Sequence, residues 1–257
     1  MGKKITELRD KIEESSLSFF YHLRNILGLE VTKIIDQFAC QTKVFVFSGI
    51  IRDYFLKISD VRDVDLVLEK KIDIEKLLVG NHFTKNSFGG YKIAFKTISL
   101  DVWFLQDTWA YKYEKVFDFY FSIGLPYTAF FNASAIVFDY NNRKFHFAKK
   151  FLQFLGDKEL DVMYEPNPNY DLCIVNTLSY EDKYKVRISK KLSNLVIDLH
   201  SSRPHDYYKV QQRHFGRVIY KESDIQSFIL KLEKGLHQKH QSISKKTGTK
   251  EFNFNSK

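Results

Sequence analysis

Two short apolar runs carry aspartates where a buried strand tolerates them least: Asp63-Val-Asp-Leu-Val-Leu68 and Ile98-Ser-Leu-Asp-Val-Trp-Phe104. β-Branched and aromatic residues in runs this short specify strands rather than helices. Side chains two apart on a strand share a face, so Asp63 and Asp65 point the same way. A carboxylate among apolar neighbours is costly unless hydrogen bonds or a cation compensate it, and Asp101 repeats the problem in the second run. If the two strands are neighbours, three carboxylates converge and supply the hard oxygen ligands that a divalent cation prefers.

The rest of the chain supplies the frame for these strands. Ile5, Leu8, Ile12, Leu17, Phe20 and Leu23 recur at near-helical spacing over residues 4–27, and a second helix is expected over Val31–Phe38. Lys43–Phe47 reads as a buried strand ended by the small pair Ser48-Gly49, with a helix following from Ile50 to Lys57. Strands are expected at Val64–Leu68, Tyr91–Phe95 and Ser99–Leu105, and helices at Ile74–Val79 and Asp107–Val116; Gly89-Gly90 makes the turn into the second strand. A hairpin over Ser134–Phe138 and Phe145–Phe147 should turn at Asn141-Asn142, and the chain from about Phe151 is mainly helical.

The expected class is therefore α+β: a mixed sheet flanked by helices, then a mainly helical C-terminal part. A composition shift at Met163–Asn169 marks the candidate boundary. The expected organisation is a head over 1–160 with a helical preface, a helical domain over 161–234 and a flexible basic tail over 235–257. That tail is rich in Lys, His, Ser and Gln and has little apolar surface to bury.

A net charge of +9 predicts an anionic partner, because such a field concentrates polyanions and speeds their encounter. The two cysteines, Cys40 and Cys173, form no zinc or disulfide framework, which suits a reducing cytoplasm. The N-terminus lacks an apolar signal core, and no run approaches the roughly 18 apolar residues of a spanning helix, so neither secretion nor membrane insertion is expected.

Backbone N–H groups at a strand-to-helix turn such as Ser48-Gly49 can approach phosphate oxygens closely. Ser48-Gly-Ile-Ile-Arg-Asp53, Asp63-Val-Asp65-Leu66 and Leu100-Asp101-Val102 together resemble the GGxVRD, DxD and later hydrophobic-Asp-hydrophobic signatures of the polymerase-β-like nucleotidyltransferases. Among these the chain is most similar to the head domain of the bacterial poly(A) polymerase and CCA-adding group, over roughly residues 40–140. The resemblance implies catalytic, metal-binding roles for Asp63, Asp65 and Asp101, with two Mg2+ ions or Mn2+ in their place. It implies that Ser48 and Gly49 hold the triphosphate, with Arg52 and Asp53 in support on the nucleotide side. The implied reaction moves a nucleoside monophosphate from an NTP to an acceptor hydroxyl, an RNA 3′ end such as that of tRNA. Nucleotidylation of a protein or small molecule, and a non-catalytic nucleotide-binding module, are the alternatives.

The chain also departs from that group. The RRDFTINALA segment corresponds to Pro126–Ala135, which keeps Asn132-Ala133 but has no Arg-Arg-Asp. The base-selecting EDxxR segment should fall near Asn169–Cys173 and is not recognisable; Glu181-Asp182 lies nearby, with Lys185 where an Arg is required. CCA addition in the strict sense is therefore not expected. The aromatic residues Phe117, Phe119, Tyr120, Phe121 and Tyr127 read as core rather than as a base-stacking platform. His205, His214, His237 and His240 have no ligand spacing, while Lys183–Arg187, Lys190 and Lys191 with the tail form the better candidate for a polyanion surface.

Overall fold

The computed structural model describes residues 2–59, 63–85, 89–113 and 124–247. The chain divides into two compact units, Met1–Pro168 and Asn169–Lys257. The composition shift at Met163–Asn169 spans the dividing point.

In the first unit the helical periodicity produces α1 (Gly2–Glu14) and α2 (Ser16–Ala39). Gly28 interrupts α2 with φ 71°, a left-handed conformation open to glycine at no steric cost, and it lies where the sequence leaves a gap between two helices. The separation at Ser15 falls inside the single helix expected over 4–27. There the Ser15 hydroxyl donates back to the Ile12 carbonyl at 2.8 Å, the kind of local bond that competes with continued helix.

Seven strands form one sheet: β1 (Val44–Phe47), β2 (Asp63–Leu68), β3 (Phe83–Lys85), β4 (Tyr91–Ala94), β5 (Ser99–Phe104), β6 (Ile136–Asp139) and β7 (Lys144–Phe147). Their order is β3-β4-β5-β2-β1-β6-β7, with β2 and β5 parallel and the other neighbours antiparallel. The sheet is mixed, as expected. Among the described residues three α-helices intervene between strands: α3 (Gly49–Leu56), α4 (Ile74–Leu77) and α5 (Trp109–Tyr113).

Beyond end shifts of one or two residues, the sheet and its connections depart from the sequence expectation at β3, after β5 and before β6. β3 has no hydrophobic signature of its own and exists by pairing with β4. The helix expected from Asp107 begins instead as a 3-10 turn over Leu105–Asp107 before α5, and residues 114–116 lie outside the described chain. Ser134 belongs to a second 3-10 turn, Asn132–Ser134, so β6 starts at Ile136.

One face of the sheet is closed. Val46, Leu66, Leu100, Val102 and Phe138 point into it and are fully buried. Phe138 meets Phe19 of α2 and Phe145 of β7, each at 4.9 Å between ring centroids, and Phe55 of α3 lies 5.5 Å from Phe145. Aromatic packing of this kind contributes about 0.5–1.5 kcal/mol per pair beyond area burial, and it fixes α2 and α3 against the sheet. The Asn141-Asn142 turn forms as expected, with Asn141 Oδ1 accepting from the Val44 amide at 2.9 Å and so tying the hairpin to β1. Of the aromatic stretch, Phe117, Phe119, Tyr120 and Phe121 lie outside the described residues, and Tyr127 is exposed.

The second unit is helical: Tyr170–Tyr184, Lys190–Ser201, Tyr207–Phe215 and Glu222–Thr247. The first three start at Asn169, Ser189 and Asp206, whose side chains accept from backbone amides three residues on. The fourth runs past Gly235, so the segment expected as a flexible tail is helical through Thr247; its Lys, Gln and Leu residues are good helix formers. Residues 248–257 lie outside the described chain. Among the described residues no helix is long and apolar enough to cross a membrane.

Candidate active site

Strand register builds the site. Phe47 pairs with Asp65, Asp65 with Asp101, and Asp101 with Lys92, so the four residues form one transverse row over β1, β2, β5 and β4. Residues directly opposite in adjacent strands share a face, with strands about 4.8 Å apart. Asp63 lies two residues before Asp65 on the same face and opposite Ser99, whose hydroxyl donates to the Asp63 carboxylate. The three carboxylates singled out by the sequence are thus gathered on the face opposite the aromatic core.

Asp65 is the electrostatically strained member. Burial, and then repulsion from Asp101 and Asp63, push its carboxyl up to about 7, against an attraction from Lys92 and Arg52 that corrects only part of the shift. A carboxylate this poorly compensated, beside two others, has the donor chemistry that suits a hard divalent cation. Among the described residues, however, no group of three or more His, Cys, Asp or Glu side chains is arranged as a ready metal cage.

Lys92 is the member that sequence reading missed. Its Nζ donates to Asp101 Oδ2 at 3.1 Å and stands 3.6 Å from Asp63 Oδ1. Burial pulls the ammonium's pKa down, but the hydrogen bond to Asp101 and attraction to Asp101 and Asp63 outweigh it and leave the group above the ordinary lysine value. The local signal was only a polar residue alternating with buried Tyr91 and Ile93, which reads as a solvent-facing position.

The Ser48-Gly49 turn lies at the end of β1, with Gly49 the first residue of α3. Among the described residues, a Cβ added to Gly49 would meet nothing within 4 Å. One turn further on, Arg52 and Asp53 are buried at 6% and 5% exposure and paired at 3.3 Å, and Arg52 also donates to Ser134 Oγ at 3.4 Å. This pair braces α3, whereas Ser48 lines the cleft beside the row. A cleft of about 470 Å³ runs beside the row, lined among others by Phe47, Ser48, Asp65, Trp103, Trp109 and Lys112. The Trp103 ring lies so close to Gly90 that a Cβ there would come within 2.7 Å of it.

The segments that depart from the family pattern have structural uses. Asn132 donates to the Glu159 carbonyl at 3.0 Å and accepts from the Asp161 amide at 2.9 Å. In the second unit Asp171 accepts from Arg203, from the Asp206 amide and from the ring of His205. Glu181 pairs with Lys231 at 2.7 Å, and Asp182 accepts from the Tyr220 hydroxyl at 2.8 Å.

Comparison with known proteins accords with this architecture. No protein-family profile matches the sequence, and no curated protein does. Among solved structures the chain is similar to a CCA-adding enzyme in complex with CTP, at TM-score 0.55 and 15% identity, covering 90% of this chain and 54% of the other. It is similar also to the Thermotoga maritima CCA-adding enzyme complexed with tRNA, at TM-score 0.53 and 14% identity, covering 88% and 53%. The chain has the nucleotidyltransferase fold of the CCA-adding enzymes. It spans about half the length of these solved structures. Within this fold, Phe47 and Asp65 of the row and Ser48 of the turn line a common opening.

Proposed function

We propose that this chain is a metal-dependent nucleotidyltransferase that moves a nucleoside monophosphate from an NTP to the 3′ hydroxyl of an RNA such as tRNA, releasing pyrophosphate. The observation that carries this reading is the convergence of Asp63, Asp65 and Asp101 on one face beside the open Ser48-Gly49 turn. The CCA-adding enzymes of like fold bound to CTP and to tRNA support the choice of substrates, as does the net charge of +9.

In the reaction the acceptor oxygen forms a bond to the α-phosphorus while the bond from that phosphorus to the pyrophosphate oxygen breaks. The Ser48-Gly49 backbone receives the triphosphate, and the helix start behind it favours negative charge. Asp63, Asp65 and Asp101 would hold the cations, and Asp101 would also assist loss of the proton from the acceptor hydroxyl. Mg2+, or Mn2+ in its place, would neutralise phosphate charge and activate that hydroxyl, two ions serving the loaded site. Most of the rate enhancement then comes from positioning and charge neutralisation. Both cysteines are free thiols, which fits the reducing cytoplasm where we place the reaction.

The test is incubation with α-labelled NTPs, Mg2+ and either total RNA or cell protein. Label should enter RNA, and Asp65→Asn or Asp101→Asn should lower incorporation by roughly a thousandfold. Label in the protein fraction alone would replace the acceptor while keeping the chemistry. No label in either, with no calorimetric binding of ATP and Mg2+, would remove the enzyme.

A further inference from the structure

The row that defines the site holds a cation of its own. Tyr91 and Ile93 are buried at 7% and 0% exposure on the closed face, which fixes the β4 backbone and turns the residue between them toward the carboxylates. That residue is Lys92, opposite Asp101 in register and within 3.6 Å of Asp63. We propose that Lys92 is a tethered cation of the carboxylate cluster, occupying the position between Asp63 and Asp101, so that the nucleotide-free protein takes one divalent ion rather than two.

Charge counting supports this. Three ionised carboxylates and one ammonium leave two negative charges, which one divalent ion neutralises. Without the ammonium three remain, and a single divalent ion leaves the cluster uncompensated in a site that already penalises Asp65. Lys92 also presents a point charge on a flexible stem, suited to sharing two carboxylates without imposing coordination geometry. It is a positioning residue, and the inference rests on the metal-dependent reading above.

The experiment titrates the full chain without nucleotide with Mn2+ alone, above neutral pH, following free Mn2+ by electron paramagnetic resonance and heat by calorimetry. The native protein should bind one ion at the cluster. Lys92→Met, which keeps the stem and removes the charge, should bind a second ion or hold the first roughly tenfold tighter, while Lys92→Arg should behave as native. A second readout is thermal: metal-free Lys92→Met should melt below native and be restored by Mn2+. Identical titrations for native and Lys92→Met, with Asp65→Asn abolishing binding in both, would overturn the role of Lys92 alone. Absence of Mn2+ binding by native protein and by Lys92→Met would instead overturn the metal-dependent reading, and this inference with it.

Discussion

Asp65 and Asp139 are both aspartates on the same face of the same sheet, and they are treated in opposite ways. Asp139, at the end of β6, is 3% exposed, and it accepts from the Asn142 amide at 2.9 Å and from Asn142 Nδ2 at 2.8 Å. Burial alone would raise its pKa, but His146 and those hydrogen bonds outweigh burial and hold it below the ordinary value. Asp65, on β2, has like-charged neighbours and is left near 7. A carboxylate whose partners are supplied by its own hairpin is architecture. One that the fold places beside two others and leaves undercompensated has the perturbed electrostatics of a candidate functional site.

This contrast can be broken by substitution. Asp65→Asn should abolish nucleotide transfer, by roughly a thousandfold, while leaving the melting temperature unchanged or higher, since it removes repulsion. Asp139→Asn should do the reverse, destabilising the fold by roughly 1–3 kcal/mol with activity largely kept below the melting point, because it sets the Asn142 donor against a new one. Equal melting losses for the two variants in chemical denaturation would collapse the distinction.

The pH dependence of stability should differ in sign at the two residues. In metal-free protein Asp65 holds its proton up to about 7 when folded but only to the ordinary 3.8 when unfolded. Its contribution therefore falls as pH rises across that window and is level above it. Asp139, lowered in the fold, contributes above the ordinary carboxylate value and loses that contribution on acidification. Melting curves of native protein and Asp65→Asn between these limits should show the first slope vanish in the variant.

The smallest expected stability effect is at the turn. Gly49→Ala meets nothing within 4 Å among the described residues, so folding stability should change by no more than about 0.5 kcal/mol. Affinity for ATP, measured by calorimetry, should nevertheless fall roughly tenfold as the added methyl crowds the phosphate approach. A variant that binds ATP as native does would remove Gly49 from the nucleotide site.

Much of this was legible in the sequence. The strand carrying Asp63 and Asp65, the strand carrying Asp101, the Ser48-Gly49 turn and the Asn141-Asn142 hairpin all follow from runs of a few residues, because strand propensity and turn chemistry are local. Less legible were β3, which has too few apolar residues to declare itself, and the helix through Thr247, where polar composition suggested disorder but helix propensity prevailed. The acidic residues near the expected base-selecting segment also could not be judged from sequence, since Arg203, Lys231 and Tyr220, which occupy them, are distant in the chain.

The sequence by itself determined that three carboxylates would be embedded in apolar strands and would need positive charge, since the cost of burying a charge is set by the residue and its immediate neighbours. Only the tertiary structure decided which strands lie side by side, and therefore that Asp65 faces Asp101 and that Lys92 stands between Asp101 and Asp63. Alternation along a strand fixes which residues share a face. Strand register, set by pairing between segments far apart in the chain, chooses the partners.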